Sequence, residues 1–425
     1  MIPTLKVKPS AQLLKLENYI INHSCDIELW FRNQWTKYQP PFYASVDLRN
    51  SGFKLAPVDT NLFPAGFNNL CDTFLPLSIQ AASIAIEKIC PEAKKVMIII
   101  ESHTRNIFYL KNIYALSEII KNSGLEVKLG TLDPEISESF FLEIEKNLSI
   151  KVEPITRNEN YVSIKIDSKN FYEPCAIILN NDLSGGEPKI LNNIAQNLIP
   201  PLKAGWYKRR KSDHFTQYNK VVDEFSQFTD IDPWLINPYF EKLDNVNFQE
   251  RQGENELASI VSTMLKNIRK KYREYDVTQE PYVVIKANSG TYGIGIMIVK
   301  NSEDVLNLNR KIRKKMSVVK GGGLITEVII QEGIHTEESI EESVAEPVIY
   351  MIDRFVVGGF FRVHTTKEKD ENLNSPGMHF IPQPFETSCI MPDQGRPCDD
   401  EANRFYAYGV IARLALIAAA RELQE

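Results

Sequence analysis

The residues best suited to chemistry lie in one stretch, YVVIKANSGTYGIGIMIVK, which begins at Tyr282. An apolar run ends in Lys286, Ser289, Gly290, Gly293 and Gly295 follow, and a second apolar run covers 296–299. Glycines let backbone N–H groups approach an anion closely and reach positive φ without a Cβ penalty. Lys286 would bring a point charge to the same phosphate. The order of these parts excludes three common nucleotide signatures. A Walker loop sets its lysine after the glycines and opens a helix, and a dinucleotide fingerprint also needs a helix there. A protein kinase puts its glycine loop before the strand lysine and adds H-R-D and D-F-G, which this chain lacks. What remains is strand, lysine, glycine-rich hairpin, strand, with an ordinary glycine-turned hairpin as the plain alternative.

Two further constellations follow. IDRFVVGGFFRVH, residues 352–364, reads as two strands joined by a hairpin turn at Gly358 and Gly359. Arg354 and Arg362 interrupt its apolar pattern, and a buried arginine requires an acidic partner or a ligand. DENLNSPG, residues 370–377, offers oxygens from Glu371, Asn372 and Asn374. Magnesium or manganese would suit them, since a hard cation takes one or two oxygen ligands from protein and the rest from phosphates and water. An Asx-rich turn is the alternative. The six histidines show no metal-ligand spacing, and no serine nucleophile elbow is present.

These residues need elements to position them. From residue 95 the pattern alternates: strands are expected at 96–100, 126–129 and 176–179, and a helix at 108–121, giving a small open α/β unit. The turn from Asn180 to Gly186 then falls at the carboxyl edge of that sheet, where such sheets bind ligands. Helices are also expected at 12–22, 75–89, 215–225, 255–273 and 406–422. Residues 47–69 mix Gly, Pro, Asn and Asp with single apolar side chains and read as a long ordered loop. Pro200 and Pro201 mark a boundary. The 425 residues carry 49 Lys plus Arg against 55 Asp plus Glu, without the basic excess of a nucleic-acid binder. Six scattered cysteines read as free thiols. The apolar stretch 410–420 contains Arg413 and is too short to span a bilayer, so a cytoplasmic protein with no membrane partner is expected.

Strand, lysine, glycine hairpin, strand is the order of the ATP-grasp superfamily, which this chain resembles. The implied fold is α/β, an ATP-grasp architecture with a preceding small open α/β domain and an N-terminal substrate-binding region. The corresponding units are 1–90, 91–205 and 206–425. ATP would be a substrate, its phosphates on Lys286, the glycine loop and Lys211, with Lys220 as runner-up for the last. EVIIQEGI would form the adenine hinge, with Gln331, Glu332 and Gly333 at its edge. The Arg354–Arg362 segment is similar to a strand pair of glutathione synthetase-like enzymes, which implies that these arginines face phosphate or an acyl intermediate. S-P-G resembles the close of that group's E-x-N-x-S-P-G metal motif, although the asparagines here sit one position off.

Within the superfamily the chain most resembles bacterial glutamate–cysteine ligases of the ATP-grasp type. The marks are VDLRNSGFKLAPVDTNLFPAGFNNL, KANSGTYGIGIM, DRFVVGGFFRVH, ENLNSPGMHF and YGVIARLALIAAARELQ, which together cover nearly the full length. The resemblance implies ligation of glutamate, through its γ-carboxylate, to the amino group of cysteine, giving γ-glutamylcysteine, ADP and phosphate, the first step of glutathione synthesis. A dipolar amino acid needs a cation, an anion and amides around it. Arg49 could take the carboxylate, Asp47 or Asp59 the ammonium, and Asn61, Asn68 and Asn69 the remaining bonds. The hairpin 290–295 would close as a lid. Two other readings stay open: another carboxylate–amine ligase such as a glutathione synthetase, or a non-catalytic nucleotide-binding protein of the same fold. Assembly as a homo-oligomer also stays open.

Overall fold

The structure, a computed structural model, describes residues 11–102, 105–290, 295–318, 323–383 and 404–424. The apolar run after Lys95 lies in strand Lys95–Ile100, inside an eight-stranded sheet whose central strands are parallel. Met97 and Ile99 face one core, while Val96, Ile98 and Ile100 face another, so both faces of the strand must be apolar. Ala176–Asn180 and Asn197–Ile199 lie to one side of it, and Glu126–Thr131 and Leu148–Asn158 to the other, all parallel. Helices Leu75–Ile89 and Ile107–Asn122 pack in the second of these cores.

A second, antiparallel sheet runs in the order His379–Pro382, Phe355–His364, Ser343–Ile352, Tyr43–Asn50, Leu55–Asn61. It corrects two expectations. The segment 47–69 is not a loop, because most of its first half forms two paired strands closed by a tight turn in which Ser51 N donates to Lys54 O. Leu55–Asn61 is the edge strand, where Pro57 can sit without breaking a ladder. Nor do Gly358 and Gly359 form a hairpin turn. Phe355–His364 is one strand, and the chain reverses at Asp353 and Arg354. Gly358, at φ +139°, stands at the register shift, and a Cβ on Gly359 would lie 2.8 Å from Val348 O. The glycines therefore serve a bulge and a close backbone approach.

A third, smaller antiparallel sheet is ordered Phe240–Asp244, Glu327–Glu332, Val283–Ala287, Ile296–Val299. Leu257, Val261, Leu265 and Ile268 of helix Glu254–Glu274 pack with Val283 and Ile285 in its core. The last helix, Arg404–Gln424, is buried over nearly all its length and packs against helix Lys211–Thr229. Its arginines survive burial through acid partners: Arg404 with Glu17, Arg413 with Glu28 and Arg421 with Glu224. Among the described residues no helix is long and apolar enough to cross a membrane.

Candidate active site

The three sheets enclose a cavity of about 570 Å³. One wall comes from the small sheet, where the hairpin strands Val283–Ala287 and Ile296–Val299 alternate. Val283, Ile285, Ala287, Met297 and Val299 fill its core, while Val284, Lys286, Ile296 and Ile298 line the cavity. Register pairs Val284 with Ile298 and Lys286 with Ile296, so three aliphatic side chains flank one lysine. Lys286 Nζ donates to Val58 O at 2.9 Å and Gln331 Oε1 at 2.7 Å. Burial pushes this ammonium down to about 8, although Asp59 pulls the other way.

Lys211 opens its helix and places Nζ 2.7 Å from Asp59 Oδ1. Burial alone would raise the Asp59 carboxyl, but Lys211 and Lys286 together hold it at about 2. Asn288 docks the start of the glycine loop on the same helix, accepting from Lys211 N through its carbonyl and from Ser212 N through its side chain. Both lysines, Gly290 and Gln331 line the cavity. Gly293 lies outside the described residues, as does most of the expected lid, 291–294. Ser289 and Gly295 adjoin that stretch and do not line the cavity.

The hinge residues divide. Glu332 reaches the cavity wall, but its carboxylate is spent in the core on Lys54 at 2.8 Å, Trp234 Nε1 at 3.1 Å and Tyr239 N at 3.0 Å. Gly333 does not line the cavity and packs against the Tyr282 ring, to whose carbonyl its N–H donates. Neither supplies a free side chain or amide N–H to an adenine edge.

The antiparallel wall carries the charges. Arg362 donates through Nη1 to Asp47 Oδ2 at 2.9 Å and to Glu346 Oε1. Burial would lower its pKa, but those two carboxylates raise it. Burial outweighs Arg362 at Asp47, whose carboxyl stands above its ordinary range. Arg49 lines the cavity too, but most of its donors go to Glu346, Tyr282 and three backbone carbonyls. Arg354 corrects an expectation. It sits exposed at the strand reversal over the Phe355 ring, away from the cavity. Asn61 and Asn69 line the cavity and Asn68 does not; Asn61 also caps a local turn at Phe63.

Asp370, Glu371, Asn372 and Asn374 line the cavity beyond the arginines. The Glu371 carboxylate is held by Lys367 Nζ at 2.7 Å and by Glu368 N, and Asn372 Oδ1 accepts from Asn374 N at 3.0 Å. Among the described residues no three His, Cys, Asp or Glu side chains converge to hold a metal. An oxygen-lined rim of this kind still fits a hard cation that takes most ligands from phosphates and water.

Sequence reasoning missed Glu346, which bonds to both arginines. Its signal was one acid in the apolar run SVAEPVIYMI, directly opposite Arg362 in register. At the far end the cavity meets the carboxyl edge of the parallel sheet, lined by Asn180 and Asp182 of the expected ligand turn, with Glu101, Asn106 and Tyr109.

The comparisons with known proteins place this fold among the ligases. Residues 17–423 match the family described as GshA, glutamate-cysteine ligase, and the chain belongs to that family. A crystal structure of a proposed gamma-glutamylcysteine synthetase from Methylobacillus flagellatus KT is 57% identical, with a TM-score of 0.91, over 100% of this chain and 99% of that one. A D-alanyl-alanine synthetase A from Vibrio cholerae O1 biovar eltor covers 76% of this chain and 81% of its own, at 9% identity and a TM-score of 0.35. A glutathione synthetase-like effector from Globodera pallida covers 89% and 85%, at 9% and 0.38. Neither of these two bears on the site. No curated protein matches the chain. The enzyme forms γ-glutamylcysteine.

Proposed function

We propose that ATP lies along the small sheet, its base against Val284, Ile296 and Ile298 and its phosphates on Lys286, Lys211 and the glycine loop at Gly290. Glutamate would lie between the arginine–carboxylate wall and the strand bearing Asp59 and Asn61, with Asn69 beside it, and cysteine toward the parallel-sheet edge. In this arrangement residues 1–90 supply the amino-acid side together with strands Ser343–Ile352 and Phe355–His364, 91–205 form its far wall, and the rest of 206–425 forms the nucleotide site. The observation that carries the proposal is that one cavity joins two lysines at one end to Arg362 and to the acid-and-amide edge at the other.

An oxygen of the glutamate γ-carboxylate attacks the γ-phosphorus of ATP, the bond to the ADP oxygen breaks, and an acyl phosphate forms. The cysteine amine, as the free base, attacks the acyl carbon, and phosphate leaves with the C–O electron pair while the nitrogen gives up a proton. Such a reaction asks the protein mainly for positioning and charge neutralisation. Lys286 and Lys211 meet the charge on the phosphates, and Arg362 meets the charge that gathers on the transferred group. Glu371, Asn372 and Asn374, with Asp370, would hold magnesium or manganese, which when bound neutralises phosphate charge. ADP release in the presence of glutamate and cysteine, compared with γ-glutamylcysteine and glycine, tests the proposal. Faster release with the second pair would make the enzyme a glutathione synthetase instead.

A further inference from the structure

We infer that Arg49 and Glu346 are positioning residues that hold Arg362, the turn at 333–335 and the loop at 369–371 as one unit. The inference rests on the proposed role of Arg362. A guanidinium has five N–H donors. Arg49 is buried, and its acceptors are Glu346 Oε2, Tyr282 Oη and Ile334 O at 3.0 Å each, Lys369 O at 3.4 Å, and Glu371 O. Nε takes one acceptor, Nη1 shares its two N–H among three, and Nη2 takes one, so most of the guanidinium is spent on the protein itself. Arg362 is less engaged: its printed bonds all leave from Nη1, and its buried Nε has no partner.

Glu346 joins them. Oε2 accepts from Arg49 and Oε1 from Arg362. Burial would raise its carboxyl, but the two arginines keep it below the ordinary range. Beyond Arg49 the unit continues: Tyr282 Oη donates to Ile334 O at 2.7 Å, and Thr336 N donates to Lys369 O at 3.0 Å, the carbonyl that Arg49 also reaches. One side chain thus ties together a strand of the antiparallel sheet that carries Glu346, the exit of the hinge strand and the oxygen-rich loop. Glutamine at 346 would keep one acceptor and turn an N–H toward a guanidinium, breaking one of the two links.

The test uses Arg49→Lys and Glu346→Gln in the full chain, singly and together. Steady-state kinetics are combined with amide hydrogen exchange. Each single change is expected to lower kcat about 10- to 100-fold with the glutamate KM unchanged. Exchange should quicken at Thr336 and through 369–374, but not in strand Lys95–Ile100. The double variant should lose no more than the worse single one, as for two parts of one link. A raised glutamate KM in Arg49→Lys, with kcat and exchange kept, would make Arg49 a substrate ligand and overturn the inference. Parent protein that makes no γ-glutamylcysteine would instead overturn the ligase assignment, while exchange at Thr336 would still decide whether the unit exists.

Discussion

Lys286→Met probes the phosphate end of the cavity, keeping the side chain's length while removing its charge. Burial holds the ammonium at about 8 against an ordinary 10.5, which corresponds to about 3 kcal/mol of cost for carrying the charge in the folded state. Below pH 8 folded and unfolded chains both hold the proton and that cost is present in full. Between 8 and 10.5 only the unfolded chain holds it, so parental stability rises with pH. Methionine removes the cost but strips Val58 O and Gln331 Oε1 of a donor, each worth about 1–3 kcal/mol. The opposing effects are of similar size, so at pH 7 the variant should stay within about 2 kcal/mol of the parent. It should also lack the parent's gain between pH 8 and 10.5. Losing one charge-assisted phosphate contact should weaken ATP binding about 10- to 150-fold. Isothermal titration at pH 7 and urea unfolding at pH 7 and 9.5 measure these quantities. ATP affinity within about twofold of the parent, a change under 0.5 kcal/mol, would refute the phosphate role.

Asp59→Asn should destabilise the protein at neutral pH by removing the partner of Lys211. The Asp59 carboxyl titrates near 2 rather than 3.8, so its contribution is complete above 3.8 and lost as pH falls through 2. Urea unfolding should show the gap from the parent closing across that window. Arg354→Ala, at an exposed turn, should leave kcat/KM within about twofold of the parent, and a larger fall would return that residue to the site. Asn374→Ala should raise the magnesium concentration for half-maximal rate by about tenfold without moving the unfolding midpoint of the metal-free protein.

The strands with uniform chemistry were legible in the sequence. Residues 96–100 are apolar because two cores claim them, and their β-branched content favours a strand. Tyr43–Asn50 does alternate, with Ala44, Val46 and Leu48 toward the core and Ser45, Asp47 and Arg49 toward the cavity, but the Gly, Pro and Asn that follow it drew the whole of 47–69 into a loop reading. Gly358 and Gly359 misled for a related reason: glycine signals both a turn and a bulge, and only the register separates them. Arg49 and Arg362 look alike in sequence, yet Arg49 bonds to carbonyls that arrive from residues 334, 369 and 371, which no local pattern could reveal.

The most direct measurement follows oxygen. Glutamate labelled with ¹⁸O in its γ-carboxylate is turned over with ATP and cysteine, and the released phosphate is analysed by mass spectrometry. Passage through an acyl phosphate predicts one ¹⁸O atom in each phosphate formed. Unlabelled phosphate would mean that the γ-carboxylate never attacked phosphorus, and the mechanism assigned to this cavity would fall.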